Sequence, residues 1–229
     1  MTALRKYATS SIGRKQIMGA SGIALYGFLL VHLVGNLAFL SGPERLNQYG
    51  HLLLHTLAEI TLPAEIGLLL IFVLHVGLAI SLKRDNRAAR PVPYAVAPNH
   101  GKKTLYSSTM MISGLVIAAF VLVHISHFRF GAGGKAYMAV YDGIEMRDLY
   151  RTSMEWFAQW WYSLAYVAVF VLLASHLAHG VQSSLQTLGF NHPKYRAAVH
   201  WLSRGYAVVI CGGFASLAIW AYFSQGGAR

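Results

Sequence analysis

The stretch SGIALYGFLLVHLVGNLAFL (21–40) holds twenty residues without a charge and one histidine, His32. About 20 residues of helix cross a hydrocarbon core, so this run reads as a membrane span. An imidazole inside such a span is costly unless it faces a partner within the protein. The pattern returns three times, with His75 in LLLIFVLHVGLAI (68–80), His124 in SGLVIAAFVLVHISHF (113–128) and His176 in YVAVFVLLASHLAHG (166–180). Four buried imidazoles, one per apolar helix, call for a shared and demanding partner. The reading that accounts for all four is two haem groups, each held between histidines of different helices. The alternative is four core histidines satisfied by hydrogen bonds to neighbouring helices.

The composition around these runs agrees with a membrane setting. The chain has 229 residues, 55% hydrophobic and 12% charged, where soluble domains carry roughly a quarter charged residues. Its mean hydropathy is +0.46. The net charge of +11 is spread between the apolar blocks rather than gathered in one patch, which points to orientation in a membrane and not to nucleic acid. Cys211 is the single cysteine; it forms no internal disulfide framework, and neither covalent haem attachment nor an iron–sulfur cluster has its thiolates. The N-terminal segment has the basic flank of a signal peptide, but its apolar run continues to about Leu40, too long for a signal core.

Five spans follow, at about 20–40, 63–82, 106–128, 159–182 and 204–224. The first stops at Ser41-Gly42-Pro43, a strong breaker. Residues 44–62 read as a short interfacial helix, and Pro63 as a first-turn residue of the second span. The connection 83–105 is basic and proline-rich, a solvated loop. Residues 129–158 read as a long polar loop containing GAGGK and DGIEMRD, and Trp160-Trp161-Tyr162 as an interfacial belt. LGFNHPKYR reads as a turn before the fifth span, which carries no histidine. The expected architecture is all-α, one membrane domain over 1–229, with four of the five helices bundled around two stacked haems.

Charge orients the bundle. With the N-terminus inside, inner segments hold thirteen Lys and Arg and outer segments six, whereas of the eight acidic residues only Asp85 lies inside. The positive-inside rule therefore places the N-terminus inside and the C-terminus outside. Each histidine lies in the later half of its helix. His32 and His124 then sit near the outer side, and His75 and His176 near the inner side. Two bis-histidine haems at different depths form an electron path across the membrane.

The segments 21–32 and 113–124 match at six of twelve positions, including the Ser-Gly start and the histidine end. Positions eleven apart point in nearly the same direction, roughly 16 Å apart along the axis. Ser21 and Ser113 thus share a face with His32 and His124 at the depth of the inner pair. There a small residue leaves room for the inner haem and offers a hydroxyl to a propionate; the bland reading is close helix packing. His127 and His179 follow His124 and His176 by three residues on the same faces. His127 lies at the membrane edge beside Arg129, and His179 is a rival to His176 or a propionate partner. His51 and His55 have i, i+4 spacing in the outer connection; most such pairs are interfacial polar residues. His100, His192 and His200 suggest no site.

The motifs SSIGRKQIMGASG (10–22), LVHLVGNL (31–38), NQYGHLL (47–53), LHVGLAISLKR (74–84), VHISHF (123–128) and HLAHGVQSSLQTLGFNHP (176–193) together resemble the single-polypeptide, dihaem cytochrome b anchor of succinate:quinone oxidoreductases (succinate dehydrogenase and fumarate reductase). The resemblance covers essentially the whole chain. It implies His32 with His124 as ligands of the outer (distal) haem b iron, and His75 with His176 as ligands of the inner (proximal) one. It favours His176 over His179, since the family ligand opens a His-x-x-x-Gly run, here ending at Gly180. It implies electron transfer in a respiratory chain between quinone, menaquinone or ubiquinone, and a partner flavoprotein subunit and iron–sulfur subunit. It implies a multi-pass protein among the lipids of a bacterial cytoplasmic membrane. The basic segments Lys83–Arg90 and Lys102–Lys103 are a docking surface for such partners. Candidate quinone residues are Ser10, Ser11 and Arg14 at the inner end, where the wider family places polar quinone ligands, and Glu59 and Glu65 beside the outer haem. The other reading of the same chemistry is the cytochrome b subunit of a hydrogenase, formate dehydrogenase or nitrate reductase; a transporter without cofactor is the reading from a different class.

Overall fold

We describe residues 2–89 and 105–224 of the chain from a computed structural model. Eight α-helices occur among them: α1 (Ala3–Thr9), α2 (Ser11–Asn36), α3 (Pro43–His51), α4 (Ala58–Ala88), α5 (Leu105–Phe128), α6 (Leu149–Phe157), α7 (Trp160–Thr187) and α8 (Pro193–Ser224). Five of them, α2, α4, α5, α7 and α8, are long and apolar enough to cross a membrane. The protein is a helical, multi-pass membrane protein.

Four of these helices form a ring. Helix α2 packs between α4 and α7, α5 packs on the other side of α7, and a slighter contact between α4 and α5 closes the circuit. Thus α2 stands diagonally opposite α5, and α4 opposite α7. Helix α8 lies outside the ring along α7, the most extensive helix contact in the protein. Small residues make that approach possible: Ala207, Cys211, Ala218 and Ala221 of α8 are all buried, and without a hydrophobic driving force between helices in lipid, close van der Waals packing holds them. By contrast α4 buries only Leu82, and its exposed Ile and Leu side chains suit a lipid-facing surface.

Helix ends differ from the sequence expectation in four places. Helix α2 begins at Ser11, not near residue 20, because the Ser10 hydroxyl caps it by accepting the Gly13 N–H at 3.0 Å. Helix α4 begins at Ala58 and runs to Ala88, leaving Pro63 inside the helix rather than in its first turn. The missing N–H forfeits one helical bond, which neighbouring structure in membrane proteins tolerates. Helix α7 runs five residues further than expected. Helix α8 starts at Pro193, with proline in the first turn, so residues 193–196 of the expected turn, and the residues from there to the expected span start, are helix. Residues 90–104, with His100, Lys102 and Lys103, lie outside the described residues.

The connection after α5 is also more ordered than a loop. Met138–Tyr141 (β1) and Ile144–Arg147 (β2) pair antiparallel with Tyr141 opposite Ile144. The two-residue turn is Asp142-Gly143 with φ of 51° and 77°, the positive-φ pair that matches strand twist. Helix α6 follows, capped by Asp148, whose carboxylate accepts the Arg151 N–H at 2.9 Å. Fully buried Asn47 of α3 ties this cap down: its amide donates to Asp148 at 2.9 Å and its oxygen accepts the Tyr150 N–H at 3.0 Å. Of the segment 44–62, expected as one short helix, α3 takes the first part to His51, a π-turn follows over Leu52–Thr56, and residues 58–62 belong to α4.

Candidate functional site

The four histidines occupy the two diagonals of the ring. At the end nearer the hairpin, His32 of α2 meets His124 of α5 edge to face, with ring centroids 5.8 Å apart and planes at 89°. Aromatic rings enclose them. Phe28 stacks on His32 at 5.1 Å, Phe214 of α8 lies 5.6 Å from it, and Phe120 and Phe128 flank His124. At the end nearer the N-terminus, His75 of α4 and His176 of α7 form the other diagonal.

Each histidine of this second pair is held by the helix beside it. Ser21 of α2 has its hydroxyl 2.9 Å from His75 Nδ1, and Ser113 of α5 has its hydroxyl 3.1 Å from His176 Nδ1. The glycine after each serine leaves the ring its room. A β-carbon on Gly22 would lie 3.4 Å from His75 Cε1, and one on Gly114 would lie 3.3 Å from His176 Cε1. The Ser-Gly repeat is therefore a cradle for an imidazole of the neighbouring helix. This revises the role expected for Ser21 and Ser113. Their hydroxyls are occupied by histidine nitrogens and by the Met18 and Met110 carbonyls, not left to reach a propionate.

The hairpin-end pair has other partners. Tyr166 of α7 places its hydroxyl 3.2 Å from His124 Nδ1 and accepts from Tyr162 at 2.9 Å; Tyr162 in turn lies 3.0 Å from His127 Nδ1. His127 stacks on Trp156 of α6 at 4.1 Å, so a continuous polar and aromatic chain joins His124 to the cap. His32 has the Asn36 amide nitrogen at 3.4 Å from Nδ1. Sequence reasoning missed Tyr162 and Tyr166. The available signal was their i, i+4 spacing, which sets both hydroxyls on one face of the helix that bears His176.

These residues suit an iron held between imidazoles. His32 and His124, on different helices and 5.8 Å apart, are the residues that would hold one haem iron, as imidazoles from two helices do in b-type haem sites. Because the Ser21 and Ser113 hydroxyls donate to backbone carbonyls, their oxygens are placed to accept from Nδ1 of His75 and His176, which keeps Nε2 of those rings as the free donor, the arrangement that outer partners of metal-bound histidines generally produce.

The remaining expected residues divide between the two ends. Arg14 donates to Ser81 at 2.9 Å and pairs with Asp85 at 2.6 Å, pinning the start of α2 to the end of α4. Ser11 is exposed at the first position of α2. At the hairpin end, Glu65 pairs with Arg129 at 3.3 Å; Glu59 is exposed, with no ion pair among the described residues. Glu59 lies in the first turn of α4, and Glu65 about two turns further in. His179 is half-buried and makes no hydrogen bond among the described residues. His51 and His55 stack at 4.6 Å. Comparison of the chain with family models, curated proteins and solved structures finds no match.

Proposed function

We propose that the chain is the dihaem cytochrome b anchor of a succinate:quinone oxidoreductase, carrying electrons between an iron–sulfur subunit and quinone. The observation that supports this most is the placing of the four imidazoles on the two diagonals of one helix ring, at different depths, with hydroxyls on Nδ1 of three of them. A merely structural histidine needs one hydrogen bond; it does not need a second histidine facing it across a bundle. In this reading His32 and His124 hold one haem b iron, His75 and His176 hold the other, and each haem supplies a one-electron redox centre. The protein's own contribution is to fix ring orientation and to line the hairpin-end pair with Phe28, Phe120, Phe128 and Phe214, keeping water away.

Charge placement supports an N-terminus in the cytoplasm of a bacterium and the hairpin cap outside. Lys83, Arg84 and Arg87 are exposed at the end of α4, a basic face for the flavoprotein and iron–sulfur subunits to dock on. Ser11 and Arg14 lie at that end as quinone-facing candidates, with Arg14 already oriented by Asp85. Glu59, free of an ion pair among the described residues, is the better placed of the two glutamates to exchange a proton with quinol at the other end. Purification of the intact complex tests this assignment. Co-elution of a flavoprotein and an iron–sulfur protein with succinate-dependent quinone reduction supports it. Co-elution with a hydrogenase, formate dehydrogenase or nitrate reductase subunit instead contradicts it.

A further inference from the structure

Ser21 and Ser113 are buried in apolar spans, 7% and 3% exposed, and each sits in the same local arrangement. The hydroxyl donates its one proton to a carbonyl three residues back, Met18 at 2.9 Å and Met110 at 3.1 Å. Its oxygen is then left to accept, and the nearest side-chain nitrogen is Nδ1 of His75 or His176. That nitrogen therefore carries the ring proton, and the lone pair lies on Nε2. The adjacent glycine admits the Cε1 edge of the same ring, so position and tautomer are set by one dipeptide. Two copies of the dipeptide, on diagonally opposite helices, do this for the two histidines of one pair and for neither of the other. The hairpin-end rings meet a phenol and an amide instead.

We propose that Ser21 and Ser113 are positioning residues that set the donor strength of His75 and His176, and thereby the potential of the haem at the N-terminal end relative to its neighbour. This rests on the haem reading above. An acceptor on Nδ1–H pushes electron density toward Nε2 and favours the ferric state, lowering the potential; outer partners of this kind are worth about tenfold or more in metal affinity. The hairpin-end pair lies roughly 16 Å further along α2 and α5, so the effect stays local.

The test is a redox titration of the purified, haem-loaded protein, with haem counted chemically in each preparation. The two components are assigned by which of them disappears in His32→Ala and in His75→Ala. In Ser21→Ala and Ser113→Ala, the N-terminal-end component moves to higher potential by about tenfold in the ferric-to-ferrous affinity ratio, or about 59 mV for one electron. The hairpin-end component stays in place, and Ser21→Thr and Ser113→Thr, which keep the hydroxyl, return the wild-type value. Two haems with an unmoved N-terminal-end component in both alanine variants overturns the proposal. If an alanine variant loses that haem, retention at wild-type potential in the threonine variant upholds the hydroxyl's role, and loss there too overturns it. A wild-type protein without haem overturns the haem reading itself.

Discussion

The His32 and His124 rings meet at 5.8 Å although they stand on α2 and α5, helices with almost no backbone contact with each other. Side chains, not helix packing, bridge this diagonal of the ring, whereas His75 and His176 on α4 and α7 are each met by a serine of a neighbouring helix. If the proposed haems are bound, replacing His32 or His75 by alanine removes a different one of them. Each variant is expected to keep about half the haem, and reduced-minus-oxidised spectra should lose a different component in each. Loss of the same component from both would refute the pairing.

Tyr166 stands between His124 and Tyr162 in the core of α7. Tyr166→Phe leaves the His124 nitrogen and the Tyr162 hydroxyl without their partner, at about 1–3 kcal/mol. A lowered thermal midpoint in detergent and a shifted hairpin-end haem component are expected. Tyr162→Phe keeps the Tyr166 contact with His124 and removes the Tyr162 bonds to Tyr166 and His127, so its spectral effect should be smaller. Equal effects from the two variants would show that the chain does not run through Tyr166.

Asn47 is fully buried and links α3 to the cap. Asn47→Ala removes its bonds to Asp148 and Tyr150, leaving their groups unpaired at about 2 kcal/mol. Faster hydrogen exchange over 135–157, with the spanning helices unchanged, is the expected readout; unchanged exchange there would place the cap's anchor elsewhere.

Glu155 gives the cap a pH dependence. Its carboxyl is held below the ordinary value of 4.5 chiefly by the hydrogen bond from Tyr137, with Arg151 and Lys135 adding to it. Because the folded value lies below the unfolded one, the contribution is complete above about 4.5 and fades as pH falls through the depressed value. Protection of the hairpin should weaken in that acid range and stay level from pH 6 to 8. Glu155→Gln should flatten the dependence; an unchanged acid limb in that variant would assign it to another carboxylate.

Much of this was legible in the residues. Four apolar runs with late histidines specify spans and depths, and the Ser-Gly repeat marks α2 and α5 as related. The role of the serines was not legible, because which atom a hydroxyl meets depends on the crossing of the neighbouring helix. The hairpin was signalled by Asp142-Gly143 between alternating strands, but its position in a polar connection made it read as a loop. Pro63 was misplaced because proline near a helix start usually marks it, and here the π-turn after α3 lets the helix begin earlier. The tyrosine chain was hidden by the expectation that Trp160-Trp161-Tyr162 is interfacial; Tyr162 is in fact 3% exposed.

Haem content tests the central claim most directly. A pyridine haemochrome assay on the purified chain should return two haems b per polypeptide, resolved as two components in a redox titration. A wild-type protein, folded and without haem, would contradict the account and leave the four histidines as hydrogen-bonded core residues.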